Sequence, residues 1–206
     1  DVEVYSLDGK QPAVSYVRPE RELRIYAMRE SRYRNGFWVG AASPGLCYYS
    51  FGDGQLHSLA GTDAGVPVEG GNEVHSIVEE NDSVLYLATS GEGLCKVVLD
   101  NGHGQLRIKS LKHYKFYYEQ QELNLYYSMV PQGDSLLWLG SQQRGLVRFN
   151  RKTEEYQVFS LSEMLHKSVD DVLCLHWRRG ELWVGTTAGL VRVTFKENRL
   201  ETVHVG

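Results

Sequence analysis

Residues able to do chemistry are spread singly along the 206-residue chain, and they form no recognisable catalytic or metal-ligating motif. The seven histidines include no His-x-x-x-His or His-Glu pair, the arrangement that would present two groups to one metal ion. No Gly-x-Ser-x-Gly nucleophile motif occurs, and adjacent acidic pairs such as Glu79-Glu80 diverge in a strand or a turn. We therefore expect no catalytic residue, no metal site and no cofactor.

The cysteines and two of the histidines have simple expected roles. Cys47, Cys95 and Cys174 are odd in number and far apart in sequence, which indicates neither a disulfide framework nor a metal site, and we expect them to be small buried hydrophobes. His75 and His176 are expected in innermost strands beside a central channel. Polar lining of that channel and a metal or acid–base role both stay open for them.

One segment, 113–121, carries more aromatic residues than a scaffold requires, and it reads His-Tyr-Lys-Phe-Tyr-Tyr-Glu-Gln-Gln. Exposed rings stack on the apolar faces of sugars, while nearby polar groups bond the hydroxyls. The predicted ligand-binding residues are the four aromatics of this segment and two polar residues of a later loop: Tyr114, Phe116, Tyr117, Tyr118, Gln142 and Arg144. The alternative is that the aromatics cover a core edge or continue a strand.

Composition limits the class of protein that must position these groups. Apolar residues make up 42% of the chain and charged residues 23%, which is incompatible with intrinsic disorder. The net charge of −4 gives no strong positive field, so we expect no nucleic-acid partner. The 21 glycines and the many aromatics suit short strands joined by tight turns, which predicts an all-β protein.

An internal repeat specifies the fold. Four segments share an aromatic followed two residues later by a small residue and then by Gly-Leu, and their aromatics are Trp38, Tyr86, Trp138 and Trp183. The spacings of 48, 52 and 45 residues are typical of β-propeller blades. We predict one propeller segment of four four-stranded antiparallel blades at 17–60, 61–112, 113–162 and 163–206, after the closing strand of a preceding blade and a linker at 1–16.

The fourth repeat carries a family resemblance. Residues 182–190 read Leu-Trp-Val-Gly-Thr-Thr-Ala-Gly-Leu, which closely resembles the two-component regulator propeller repeat, Leu-Trp-(Ile/Val)-Gly-Thr-x-x-Gly-Leu. The other three repeats match with drift; for example, Ala88 replaces a glycine. In that family such repeats build the periplasmic sensor region of hybrid two-component receptors, where two seven-bladed propellers precede an immunoglobulin-like segment, a membrane span and a histidine kinase.

The resemblance implies a function as well as a fold. It implies that the chain is part of a larger seven-bladed propeller in a periplasmic ectodomain, which recognises an oligosaccharide and relays the signal to the kinase without catalysis. The implied partners are the ligand, other blades of the same receptor, and a second receptor in a homodimer. Two alternatives stay open: a closed four-bladed ring that acts as a protein-binding scaffold, and a propeller polysaccharide lyase or hydrolase.

Overall fold

The computed structural model describes residues 23–42, 45–59, 73–100, 106–142, 144–169, 171–196 and 199–205. The predicted closing strand and linker at 1–16 lie outside these residues. The structure is all-β apart from one short helix, and none of its described helices has the length and apolarity needed to cross a bilayer.

The strands form four antiparallel sheets of four strands each, as the repeat predicts. In chain order the sheets comprise β1 (Ile25–Glu30), β2 (Gly36–Ala41), β3 (Leu46–Ser50) and β4 (Gln55–Ser58); β5 (Glu73–Glu79), β6 (Val84–Ser90), β7 (Leu94–Asp100) and β8 (Arg107–Tyr114); β11 (Tyr126–Gln132), β12 (Leu136–Ser141), β13 (Gly145–Asn150) and β14 (Tyr156–Phe159); and β15 (Val172–Arg178), β16 (Glu181–Thr186), β17 (Gly189–Lys196) and β18 (Arg199–His204). The predicted propeller blades are therefore confirmed.

Two elements lie between the sheets. A two-stranded hairpin, β9 (Phe116–Tyr118) and β10 (Gln121–Leu123), connects the second sheet to the third, so part of the aromatic segment continues as strand. A five-residue helix, α1 (Leu161–Leu165), connects the third sheet to the fourth. The Ser160 hydroxyl caps this helix by accepting a hydrogen bond from the Glu163 backbone N–H.

The innermost strand of every sheet has an irregularity in its pairing at the same place. One residue is left over between two regular pairs, and this position holds Tyr26 in β1, His75 in β5, Tyr127 in β11 and Leu173 in β15. A bulge of this kind bends the strand and redirects the side chain of the extra residue. The repeat therefore brings four side chains to equivalent positions at the start of the inner strands.

The core lies between consecutive sheets. The aromatics Trp38, Tyr86 and Trp138 are completely buried, each against apolar residues of its own and the following sheet. The small residue two positions later lets the following sheet approach: a Cβ on Gly40 would lie 2.4 Å from the Val74 carbonyl oxygen, and one on Gly140 would lie 2.4 Å from Val172 Cγ1.

Inner strands pack against each other in chain order, β1 on β5, β5 on β11, and β11 on β15. Hydroxyls connect them: the Ser76 Oγ accepts from the Met129 backbone N–H at 3.1 Å, and the Ser128 Oγ accepts from that of Leu175 at 3.0 Å. Within the described ranges, no comparable packing joins β15 back to β1.

Candidate functional site

The predicted site residues lie near one face of the propeller, which we call the upper face. It comprises the starts of the inner strands, the β6–β7 and β12–β13 connections and the β9–β10 hairpin. Backbone hydrogen bonds join these parts, since the Gly91 N–H donates to the Asn124 carbonyl at 2.8 Å and the Gln142 N–H donates to the Leu125 carbonyl at 3.1 Å. Both carbonyls lie between the hairpin and β11, so the hairpin is fixed beside the inner strands.

Two of the predicted aromatics belong to the core. Phe116 is buried, with its ring centroid 5.4 Å from that of Phe149 and 4.8 Å from that of Tyr156. The Tyr114 ring is also buried, 4.7 Å from Phe149, and its hydroxyl donates to a Glu154 carboxylate oxygen at 2.9 Å. These two rings cover a core edge, as the alternative expectation held, and they offer no free face to a ligand.

The other two aromatics are accessible on the hairpin. Tyr117 is 46% exposed, and Tyr118 is partly exposed, with its hydroxyl donating to Glu163 Oε1 at 2.6 Å. This hydrogen bond to a carboxylate raises the pKa of Tyr118. The hairpin turns through Glu119 and Gln120, whose φ values of 46° and 66° are usual for Asn-Gly and strained for larger residues.

The two predicted polar residues, Gln142 and Arg144, lie on the β12–β13 connection next to the hairpin. The Arg144 guanidinium donates to the Gln121 side-chain oxygen, and its positive charge acts on the nearby Tyr118 hydroxyl. The side chain of Gln142 is partly exposed. The structure thus joins Tyr118 and Arg144 in one cluster with Gln121 and Glu163, which we call the hairpin cluster.

Glu163 was missed in the sequence because no helix was predicted there. The signal was present as Ser160-x-x-Glu163, the pattern of a helix start in which a serine caps the first turn and a glutamate follows three residues later. Gln121 belongs to the aromatic segment but was not singled out, because its neighbour Arg144 comes from a different part of the sheet.

A second group of side chains converges at the bulge positions of three inner strands, and we call it the axial cluster. The Tyr26 hydroxyl donates to Glu73 Oε1 at 2.7 Å, and His75 Nε2 lies 3.2 Å from Glu73 Oε2. The His75 ring lies 4.5 Å from that of Tyr26 and 5.4 Å from that of Tyr127. Residues of β1, β5 and β11 therefore meet around one imidazole.

Hydrogen bonding sets the charge states of the axial cluster. The Tyr26 hydrogen bond and the nearby His75 lower the pKa of Glu73, so its carboxylate is ionised. The same hydrogen bond raises the pKa of Tyr26, so its phenol stays protonated and acts as a donor. The cluster offers a carboxylate, a hydroxyl and aromatic surface, which suit a ligand carrying hydroxyl or amide groups.

His75 and His176 are not brought together. His75 lies at the bulge near the start of β5, whereas His176 lies in the second half of β15, opposite Trp183. Across the part of the chain that the structure describes, no three histidine, cysteine or acidic side chains are grouped so that they could hold a metal ion.

The two buried cysteines show no sign of activation. Cys47 and Cys95 are buried as expected, and burial raises the pKa of the Cys47 thiol to about 11 and that of Cys95 to about 12. Cys95 Sγ lies 3.3 Å from His113 Nδ1, but a thiol with so high a pKa is not a nucleophile at neutral pH. The expectation of burial is wrong for Cys174, which is exposed because the fourth sheet has no described neighbour on that side.

Comparison with solved structures finds proteins of the same architecture. The chain matches the extracellular domain of BT3049 from Bacteroides thetaiotaomicron, described as a hybrid two-component system, with a TM-score of 0.65 and 19% sequence identity. The match covers 100% of this chain and 24% of that chain. The extracellular domain of BT4673, from the same organism and similarly described, matches with a TM-score of 0.61 and 21% sequence identity. The match covers 92% of this chain and 23% of that chain.

The computationally designed protein Ika4 also matches, with a TM-score of 0.53 and 14% identity over 94% of this chain and 99% of the other. The chain spans about a quarter of the length of the two receptor ectodomains. At these identities the likeness shows the fold alone. Neither protein-family models nor curated proteins gave a match.

Proposed function

We propose that the chain is a ligand-recognition segment of a periplasmic sensor ectodomain, that its ligand is an oligosaccharide, and that it does not catalyse a reaction. The observation that carries this proposal is the hairpin cluster, where a strand hairpin, a sheet connection and a helix start bring Tyr118, Arg144 and Glu163 to the upper face. The ectodomain structures of the same architecture and the resemblance of the repeat support the sensor role.

The chemistry of the upper face suits a polyhydroxylated ligand. Tyr117 offers an exposed ring for stacking on a sugar, and the side chains of Gln142, Arg144 and Glu163 offer donors and acceptors for hydroxyl groups. The axial cluster adds Tyr26 and Glu73 nearer to the centre of the same face.

The signal would travel through assembly. In the intact receptor the chain would pack against further propeller blades and function in a homodimer, where ligand favours one of two arrangements and thereby biases a histidine kinase. A sensor of this kind needs selective binding and no bond cleavage.

The test is a screen of the chain against a printed array of neutral and acidic oligosaccharides, followed by calorimetry with the best binder. We expect Tyr117→Ala and Arg144→Gln each to weaken binding about tenfold, the equivalent of about 1.4 kcal/mol, because each removes one direct contact. Tyr33→Ala and Arg179→Gln are matched controls, since both residues are exposed in turns at the opposite end of the sheets.

Two results would contradict the proposal. Unchanged affinity in both Tyr117→Ala and Arg144→Gln would exclude the β9–β10 hairpin and the adjacent β12–β13 connection as the site. Release of shorter sugars from the bound oligosaccharide, followed by chromatography, would show catalysis and favour the lyase or hydrolase alternative.

A further inference from the structure

The aromatic of the second repeat carries a buried polar atom that the chain itself does not satisfy. Tyr86 is completely buried, and its hydroxyl has no hydrogen-bond partner among the described residues. In the first sheet, Trp38 Nε1 donates to Glu79 Oε1 of the following sheet at 2.9 Å. In the third sheet, Trp138 Nε1 donates to Gln132 Oε1 of its own sheet at 2.7 Å. A buried donor without an acceptor is costly, so the Tyr86 hydroxyl requires an explanation.

Neither of the two acceptor positions that the other repeats use is available to Tyr86. In the following sheet, Pro131 is equivalent to Glu79, because each of them pairs with the residue just before the aromatic of its own sheet. The proline side chain has no acceptor. In the same sheet as Tyr86, Glu80 holds the other position, but its Oε1 lies 3.3 Å from Arg151 Nη1. The sequence has thus removed one acceptor and engaged the other.

Further donors lie beside this hydroxyl, between the second and third sheets. The Arg151 side chain is only 6% exposed, its Cζ lies 5.9 Å from the centroid of the Tyr86 ring, and its Nε has no acceptor among the described residues. Lys96 Nζ lies 5.7 Å from the same centroid. Burial raises the pKa of Tyr86, so its phenol stays protonated and acts as a donor. The interface therefore combines two unsatisfied donors with an ammonium group.

The charged side chains at this interface leave one positive charge in excess. The cations are Lys96, Lys112 and Arg151, and the carboxylates are Glu80 and Glu154. Lys96 and Lys112 stand directly opposite each other in the β7–β8 pairing, where like charges are unfavourable. Each carboxylate already has a cationic partner, since Glu80 pairs with Arg151 and Glu154 with Lys112. One bound monovalent anion would balance the group.

We infer that the interface between the second and third sheets binds a small monovalent anion such as chloride, which accepts hydrogen bonds from the Tyr86 hydroxyl and the Arg151 Nε–H close to the Lys96 ammonium. A monatomic anion needs only donors, whereas a water molecule would also need acceptors for its own two protons. The anion joins these two sheets as the Glu79 side chain joins the first sheet to the second.

The test is urea unfolding followed by tryptophan fluorescence, while sodium chloride replaces sodium methanesulfonate at constant ionic strength. We expect the unfolding midpoint of the parent to rise with chloride and then level off, because chloride binds only the folded chain. Tyr86→Phe removes the unsatisfied hydroxyl, so it should be at least as stable as the parent without chloride and show no such rise. Lys96→Gln should need about tenfold more chloride for half of the rise, because it removes one nearby positive charge.

Tyr126→Phe is the matched control. Tyr126 is also completely buried, but its hydroxyl donates to the Leu123 carbonyl at 2.9 Å. This variant should lose stability and keep the full response to chloride. General effects of the salts on unfolding are common to all the variants and cancel when their midpoints are compared.

Crystals of the parent grown with sodium bromide locate the anion without any substitution. We expect an anomalous-scattering peak within hydrogen-bonding distance of Tyr86 Oη and Arg151 Nε. Three results would overturn the inference: a parent midpoint that chloride does not raise, which would leave a water molecule as the partner of Tyr86; a rise that persists in Tyr86→Phe; or bromide found only elsewhere on the chain.

Discussion

At the scale of single residues, Glu79 shows how one buried carboxylate joins two sheets. It ends β5 and accepts three hydrogen bonds from the first sheet: from the Ser31 hydroxyl at 2.6 Å, the Arg32 backbone N–H at 2.6 Å and Trp38 Nε1 at 2.9 Å. Trp138, the equivalent aromatic of the third sheet, instead donates to Gln132 within its own sheet at 2.7 Å. The repeat therefore fixes the position of the aromatic side chain, whereas the hydrogen-bond partner of the tryptophan N–H differs between the first and third sheets.

Replacing Glu79 should destabilise the chain strongly. Glu79→Met keeps the size of the side chain but leaves the donors of Ser31, Arg32 and Trp38 without an acceptor, and we expect a loss of about 3 kcal/mol. Glu79→Gln should cost less, because its carbonyl oxygen still accepts. The measurement is urea unfolding followed by tryptophan fluorescence.

Glu30 provides the matched control for this prediction. It holds the equivalent position in β1 but is exposed, so Glu30→Gln should leave the unfolding midpoint unchanged. Equal destabilisation at Glu30 and Glu79 would show that the three hydrogen bonds do not matter.

At the scale of elements, the second and third sheets are joined by a contact between β8 and the β13–β14 turn. Glu154 in that turn accepts from Lys112 Nζ at 2.7 Å and from the Tyr114 hydroxyl at 2.9 Å. The Lys112 hydrogen bond, followed by that of Tyr114, lowers the pKa of Glu154. Because Tyr114 also packs on Phe149, this contact helps to hold the start of the aromatic segment against the core.

The contact between Lys112 and Glu154 predicts a dependence of stability on pH. A carboxyl whose pKa is lowered by folding stabilises the chain fully above its unfolded pKa, and this contribution disappears as the pH falls through the lower folded value. Glu154→Gln should therefore be less stable than the parent at pH 7, and the difference should vanish in acid, below the ordinary glutamate pKa of about 4.5. Urea unfolding at several pH values measures the difference in stability between the parent chain and Glu154→Gln. A difference that stays the same in acid would contradict the prediction.

At the scale of the whole molecule, stability should follow the number of neighbours of each sheet. Propeller blades contact only adjacent blades, so a repeat protein of this kind gains stability at each interface. The second and third sheets have described neighbours on both sides, whereas the first and fourth have one each. The two end sheets are therefore expected to open first.

Hydrogen exchange measured by mass spectrometry should reveal this gradient. At low protein concentration, peptides from β6 and β12 should exchange most slowly, and peptides from β2 and β16 should exchange faster, because opening an end sheet breaks only one interface. Slowest exchange in β2 or β16 would contradict the expectation.

Much of the fold could be predicted from the sequence because its determinants are local. The spacing of Trp38, Tyr86, Trp138 and Trp183 is a property of the chain, and strands and turns form between residues close in sequence. Leu190 and Gly185 also keep the residue types of the repeat. These signals indicate four blades before any contact between blades is known.

The site was only partly predictable because it depends on contacts between distant residues. The sequence does not distinguish Phe116, which is buried on Phe149, from Tyr117, which is exposed one residue later, since both lie in the same aromatic run. Tyr26, His75 and Tyr127 are about fifty residues apart and look unrelated in the sequence. Only the tertiary structure decides that they meet, because the rotation from one blade to the next stacks equivalent bulges around one axis.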